Sequence, residues 1–539
     1  MNQFLSKADI VIIIGSVLVV ALVGLWVGRR RTDTAHGYFL AGNKMPWYVI
    51  GTAFVATGIS SEQMVGTVGI TYQHGLGIAN WEWFLAPTYA LPLIFFIPIY
   101  LKNRVTTVPG FLAARFGPAV GTIYAGILLF IYVFVYLVTV LYSGSLAFSQ
   151  ITGWNFRAVV FLTALTVGIY SIKGGLTSVM WTDAVQCLLL MVGGVLLFLV
   201  ALAKLPGGLL GAWHAMELAS PERMHLYQPP NHPMAPFLGM IVAVFGMFTF
   251  YQIGNQAMVQ RMLAARSTWD GLMGLVMASF IGFLRPLVTC FLGLIVYHWI
   301  YVMHKAPPLA NKDLAFTFAL QNLGPSWGLR GIVLAGFVAA VMSAMSALSN
   351  SVATLFATDF YKKIINKNAS DRRMVVVGQI SALLALAIAA CVAPIVGKLG
   401  GIFQFFQTCM TYIACPFMAT MLMGILWKRV NYAAGIFGFA GGLVIQIIMA
   451  ILFSGNVPGL PKLHFFYIGF LAQIIIVIGI VIVTLMTEPP DPEKIKNMVW
   501  NLSMLRDYDQ GQPRPWYQQI KFWWGLFVIG QVLIYVRFW

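Results

Sequence analysis

Along this chain, stretches of apolar side chains repeatedly run longer than a bilayer is thick. An α-helix rises about 1.5 Å per residue, so about 20 apolar residues cross a hydrocarbon core of about 30 Å. Of the 539 residues, 60% are hydrophobic and only 9% are charged. Backbone N–H and C=O groups in hydrocarbon must be satisfied by the segment itself, and continuous rather than alternating apolar runs satisfy them as helices. The expected class is an all-α polytopic membrane protein with about fourteen transmembrane helices. The spans are read at residues 9–28, 46–71, 78–101, 119–150, 157–172, 178–203, 236–256, 269–303, 329–358, 374–397, 400–426, 431–453, 465–486 and 520–537.

The net charge of +17 does not call for a nucleic acid. Lys and Arg gather in short loops on every second side of the spans. Examples are Arg29-Arg30-Arg31, Lys102/Arg104, Arg261/Arg266, Lys362/Lys363, Arg372/Arg373 and Lys428/Arg429. This is the positive-inside bias, and it makes the basic face cytoplasmic. The first span has no basic leader and is followed by Arg29, so no cleavable signal is expected. An even number of spans beginning outside puts both termini on the extracytoplasmic side of the cell (inner or plasma) membrane. Cys187, Cys290, Cys391, Cys409 and Cys415 all lie in or at the edge of spans, without CxxC spacing. They read as small buried residues, with neither disulfide nor metal expected.

One span resists this simple pattern. Between Trp47 and Met64 the apolar run meets Thr57, Gly58, Ser60, Ser61, Glu62 and Gln63, and Glu82 follows between Trp81 and Trp83. Polar and ionisable residues at bilayer depth are costly and mark a path for substrate or ions. A helix unwound at Thr57-Gly58-Ile59-Ser60 frees carbonyls, which a hard cation such as Na⁺ satisfies; Ala56 and Ile59 are placed to supply two. A kink satisfied by neighbouring helices is the alternative. A second interruption falls at Gly254-Asn255-Gln256. Paired interruptions in two sets of five spans allow an inverted repeat.

Three further groups stand out. Ala335, Ala339, Ser343 and Ala347 recur every four residues, a spacing that lets helices approach closely. Ser343 and Ser346 on nearly that face complete an oxygen cage or serve packing alone. Gln63 and Glu82, with Trp81, Tyr251, Phe403, Gln404 and Gln407, offer donors, acceptors and flat rings of the kind a sugar requires. Asp183, in Trp181-Thr182-Asp183, either guides a cation to water or caps its helix. There is no Ser/His/Asp set, HExxH or GxxxxGK[ST], so no enzyme is expected, and any uphill movement of a solute would draw on an ion gradient.

The motifs ISSEQMVGTVGITY (Ile59–Tyr72), IANWEW (Ile78–Trp83), YSIKGGLTSVMWTDAVQ (Tyr170–Gln186), NQAMVQRMLAARS (Asn255–Ser267), LSNSVATLFATDFYKK (Leu348–Lys363), FQFFQ (Phe403–Gln407) and GILWKR (Gly424–Arg429) resemble the sodium/solute symporter family, within it the sodium–sugar branch. The resemblance covers most of residues 9–486. It implies a five-plus-five inverted-repeat core with discontinuous first and sixth core helices, working by alternating access. It also implies a sodium site formed by the carbonyls of Ala56, Ile59 and Ala340 and the hydroxyl of Ser343. A second ion or an exit path would involve Asp183 and Ser346. Ala344 and Ala347 stand where hydroxyls are frequent in the family. For the solute it implies Gln63, Glu82, an inner-gate Tyr251 and an outer-gate Phe403, with Trp81 and Gln407 alongside. Leu85, Phe248 and Gly282 depart from the branch, where Ser, Asn and Lys stand, and make the site more apolar.

The expected organisation is an accessory helix (residues 1–45), a first repeat (46–204), an extracellular loop (205–235), a second repeat (236–427) and accessory helices (428–539) with a cytoplasmic linker (487–519). The expected function is sodium-coupled symport of a sugar or polyol. The alternatives are symport of an organic acid, amino acid or vitamin, and a membrane solute sensor. Sodium is the coupling ion expected, with protons the alternative, no cofactor is implied, and the partners are a small solute and the lipid bilayer, with no obligate protein partner.

Overall fold

The structure, a computed structural model, describes residues 5–29, 34–326, 328–396, 402–455, 457–505 and 514–539. Arg30, Arg31 and part of the 487–519 linker lie outside the described residues. The principal helices are α1 (Lys7–Gly28), α2 (Trp47–Gly58), α3 (Ser61–His74), α4 (Leu76–Lys102), α5 (Pro118–Thr152), α6 (Phe156–Ala203) and α7 (Gly208–Ala219). They continue with α8 (Phe237–Ile253), α9 (Gln256–Leu263), α10 (Thr268–Gly282), α11 (Arg285–Val302), α12 (Leu329–Ile365) and α13 (Asp371–Val396). The last are α14 (Ile402–Leu426), α15 (Tyr432–Phe453), α16 (Phe465–Met486) and α17 (Ile520–Phe538).

Among the described residues, eleven helices are long and apolar enough to cross a membrane, and twelve with the bent pair α8/α9. Counting α2/α3 as one broken span and Phe156–Ile169 as another gives the fourteen crossings expected. The core has the five-plus-five inverted-repeat architecture. The broken pair α2/α3 opens one half and the broken pair α8/α9, bent by 55°, opens the other.

Helix α6 shows how the chain is kept within the bilayer. A straight run of its 48 residues would reach about 72 Å at about 1.5 Å per residue, far more than the membrane is thick. The chain instead reverses at Gly175, whose φ of 57° is left-handed. A Cβ there would also meet the Tyr38 carbonyl at 2.7 Å, so glycine is required twice over. The end of α5 that leads into α6 and the end of α6 reach the same 315–324 segment: Thr317 donates to Gln150 at 3.3 Å and Lys204 donates to the Asn322 carbonyl at 3.0 Å.

Helix α12 is buried along nearly its whole length; Ala335, Ala339, Ser343 and Ala347 are all below 4% exposed. Small side chains let the second arm of α6 lie directly on it. The peripheral helices α1, α13, α15, α16 and α17 expose Leu, Ile, Val and Trp, as lipid-facing surfaces do. Both described ends lie on one face. Gly331 N–H donates to Asp9 at 2.7 Å, and Leu226 N–H donates to the Phe538 carbonyl at 2.7 Å.

The segment 205–235 differs from the polar loop expected. Its GLLGAWHAMELA stretch forms α7, with Trp213 against Phe291 and Phe538. Pro and His around it mark turns, but this stretch carries enough apolar residues to pack on the bundle.

Candidate functional site

The break in the first core helix is two residues long. Ile59 (φ −115°, ψ 111°) and Ser60 (φ −120°, ψ 174°) are extended between α2 and α3. The last bond of α2 runs from Ile59 N–H to the Val55 carbonyl (3.1 Å), and that of α3 begins with Met64 N–H to the Ser60 carbonyl (3.0 Å). Among the described residues, the carbonyls of Ala56 and Ile59 receive no donor. The second break is satisfied differently. Tyr100 and Tyr124 donate to the carbonyls of Ile253 and Gly254, both at 2.9 Å, and Tyr132 donates to the Asn255 side chain at 2.5 Å. Three phenols thus close one break with protein groups, while at the other the Ala56 and Ile59 carbonyls have no such partner among the described residues.

Opposite the first break lies Asp183. Ser343 donates its hydroxyl to Asp183 Oδ1 at 2.7 Å, and the Thr57 hydroxyl is 3.5 Å from Oδ2. Arg261 Nη2 is 2.7 Å from the same Oδ2, and its Nη1 donates to the Ala257 carbonyl. The sequence offered Asp183 as a helix cap or a cation guide. It is no cap: it lies two turns beyond the Gly175 reversal, fully buried. Asp183 meets the Ser343 hydroxyl directly, whereas Ser346 turns back to the Ser343 carbonyl at 3.0 Å. Arg261 corrects a second expectation. It was counted among the loop cations of the basic face, yet it is among the largest fully buried side chains. The signal lay in Asp183 itself, because a carboxylate at bilayer depth demands a cation.

A cavity adjoins the break. Gln63, Tyr251, Gln407, Arg285 and Glu62 line it with polar atoms, and Leu85, Phe248 and Phe406 with apolar ones. Trp81 also reaches it and sits in a cage of rings: Phe403 at 5.4 Å, Phe248 at 5.6 Å and Phe466 at 5.2 Å between centroids. The Trp81 indole N–H donates to the Met234 carbonyl at 3.2 Å. Phe403 therefore covers Trp81 rather than the cavity. Tyr251 and Tyr136 both line the cavity. Gln407 faces the cavity and Gln404 faces outward, beside Thr408 and His464.

Glu82 lies behind this wall, fully buried. Gln63 Nε2 donates to its Oε1, and Arg285 Nη2 stands 2.7 Å from its Oε2. Arg285 also reaches the Gly58 carbonyl at 3.4 Å. One guanidinium thus joins the break of α2 to the Glu82–Gln63 pair. Arg285 and Arg261 are thus two buried cations, each paired with a carboxylate. Leu85 and Gly282, which depart from the sugar-branch pattern, compensate for each other. A Cβ on Gly282 would fall 2.3 Å from Leu85 Cδ1, so the leucine fills the space a longer residue 282 would need.

Comparison with known proteins follows from this arrangement. A family profile described as "Sodium:solute symporter family" matches residues 38–442. The chain is 32% identical over 469 residues to the sodium/glucose cotransporter of Vibrio parahaemolyticus, covering 83% of this chain and 85% of that protein. It is 28% identical over 540 residues to the sodium/myo-inositol cotransporter 2 of Oryctolagus cuniculus, covering 93% and 80%. The solved structure of a Na⁺-coupled sialic acid symporter, in a substrate-bound outward-open state, superposes with a TM-score of 0.78 at 20% identity. That match covers 90% of this chain and 99% of the other, and it supports the fold. On the profile match and on the extent of its relatives, this multi-pass membrane chain belongs to the sodium:solute symporter family.

Proposed function

We propose that the protein is a sodium-coupled symporter that takes up a sugar or related polyol by alternating access. The observation that carries this is the contact of Arg285 with both the Gly58 carbonyl and Glu82. It links the break, where an ion would bind, to the Gln63 side chain, where a solute would bind. The ion set is the carbonyls of Ala56, Ile59 and Ala340 with the Ser343 hydroxyl, and Asp183 adds a carboxylate to Ser343. Oxygen ligands suit a hard monovalent cation. The solute set is Gln63, Trp81, Tyr251 and Gln407 lining the cavity, Phe403 as the cover over Trp81, and Glu82 holding Gln63. The relatives named for glucose and myo-inositol support a polyhydroxylated solute.

The broken pairs that open each half support a division into repeats at 46–204 and 236–427, with accessory helices outside. The bias of Lys and Arg supports a cytoplasmic face at Lys102, Lys362 and Lys428, with both termini on the other side. An organic acid would need a free cation in the cavity, and Arg285 is already engaged by Glu82. Proteoliposomes with an imposed inward sodium gradient, offered glucose, galactose and myo-inositol, test the reading. Accumulation of one of them that collapses when potassium replaces sodium supports it; uptake indifferent to sodium overturns it.

A further inference from the structure

Two carboxylates stand beside the first break, in different surroundings. Glu82 is absent from the cavity wall, and both its oxygens are engaged by Gln63 and Arg285. Glu62 is part of that wall. The Ser60 hydroxyl donates to its Oε2, and the backbone amides of Glu62 and Gln63, in the first turn of α3, face the carboxyl. Among the described residues no Lys or Arg forms an ion pair with it. Tyr136 and Tyr251 face it across the cavity. The N-terminal end of a 14-residue helix favours negative charge at this position. A carboxylate accepts at about four lone-pair positions, so Ser60 and two amides leave it capacity toward the cavity.

We propose that Glu62 is the carboxylate that receives the solute's hydroxyls, and that Glu82 is a positioning residue behind it. The proposal deepens the polyol reading and rests on it. The Glu62 carboxyl oxygens can accept, and the matching groups on the solute are hydroxyl donors. Two hydroxyls on neighbouring carbons of a sugar or cyclitol fit the two oxygens of one carboxylate, and Leu85 and Phe248 offer the apolar surface for the C–H face. Glu82 acts one step away by fixing the Gln63 amide and the Arg285 guanidinium.

The test is sodium-driven uptake in proteoliposomes, comparing each transported polyol with its singly deoxygenated analogues, for wild type, E62Q, E62D and E82Q. Sodium-induced tryptophan fluorescence reports folding and ion binding separately. E62Q is expected to raise KM about tenfold with Vmax nearly unchanged, to keep the sodium response, and to lose the preference for the parent polyol over one deoxy analogue. E82Q is expected to lower Vmax and raise KM together, because Gln63 and Arg285 both lose their anchor. Wild-type KM and analogue preference in E62Q would overturn the proposal. Should E62Q lack the sodium response, E62D decides: a raised KM with that response intact supports the assignment, and a wild-type KM overturns it. A wild type that transports only acids would overturn the polyol reading itself, a result distinct from an unaffected E62Q.

Discussion

Arg261 and Asp183 form an ion pair at 2.7 Å with both side chains essentially inaccessible, at 1% and 0% exposure. Asp183 offers its other oxygen to Ser343, so α9, the second arm of α6 and α12 meet at one carboxylate. Breaking one member of such a pair leaves a buried charge and costs about 3–5 kcal/mol. R261Q is therefore expected to melt at lower temperature than wild type in sodium-free detergent solution. Sodium is expected to recover more of that loss in R261Q than it adds to wild type, because the freed carboxylate then serves the ion. Thermal unfolding across a sodium titration measures both effects; equal sodium dependence in the two proteins would contradict the account.

Ser343 supplies the hydroxyl of the proposed ion set. S343A should weaken sodium activation of uptake about tenfold, corresponding to about 1.4 kcal/mol. Solute KM at saturating sodium should stay near wild type. Initial rates over a sodium series read the change, and a raised solute KM at saturating sodium would place Ser343 in solute binding instead.

The Leu85–Gly282 complement gives a paired prediction. In G282A the new Cβ displaces the Leu85 side chain, which lines the cavity. Solute affinity should fall with little change in melting temperature. L85A in the same protein should restore it. A double-mutant cycle on KM checks the coupling, and additive effects would show that the two positions act independently.

His464 caps α16 from outside the membrane-spanning segment, its Nδ1 accepting the Phe466 N–H at 3.2 Å. Burial lowers its pKa from 6.5 to about 4, and the neighbouring His232, lowered likewise by burial, adds to the shift. The folded protein therefore holds the ring neutral while the unfolded chain takes up a proton below pH 6.5. Its contribution to stability is complete above pH 6.5 and declines as the pH falls toward 4. H464N, which keeps a neutral cap, should flatten the loss of melting temperature between pH 7 and 4.5. An unchanged pH profile would remove His464 from the account.

Much of this arrangement was legible because membranes constrain sequences tightly. Span number followed from the lengths of the apolar runs, and the break at Ile59-Ser60 from polar residues where none is tolerated without a function. The reversal at Gly175 was legible as two spans, though not as a single left-handed residue. Other features were not legible because they depend on contacts between distant segments. Nothing local separates Arg261 from the loop cations around it; only its approach to Asp183 does. Glu82 reads from the sequence as an acceptor for the solute beside Gln63; only the folded chain shows it held by Arg285 and Gln63, with Glu62 on the cavity wall. Nothing local marks Tyr100, Tyr124 and Tyr132, and only the folded chain shows their hydroxyls sealing the second break and its surroundings.

The most direct test of the central claim is a sodium-gradient uptake assay in proteoliposomes containing the purified chain, with glucose, galactose, myo-inositol and a monocarboxylate as competing solutes. The account predicts that one polyol accumulates above its external concentration only while the sodium gradient lasts, and that the acid neither accumulates nor competes. Accumulation of the acid, or of any solute without sodium, would contradict it.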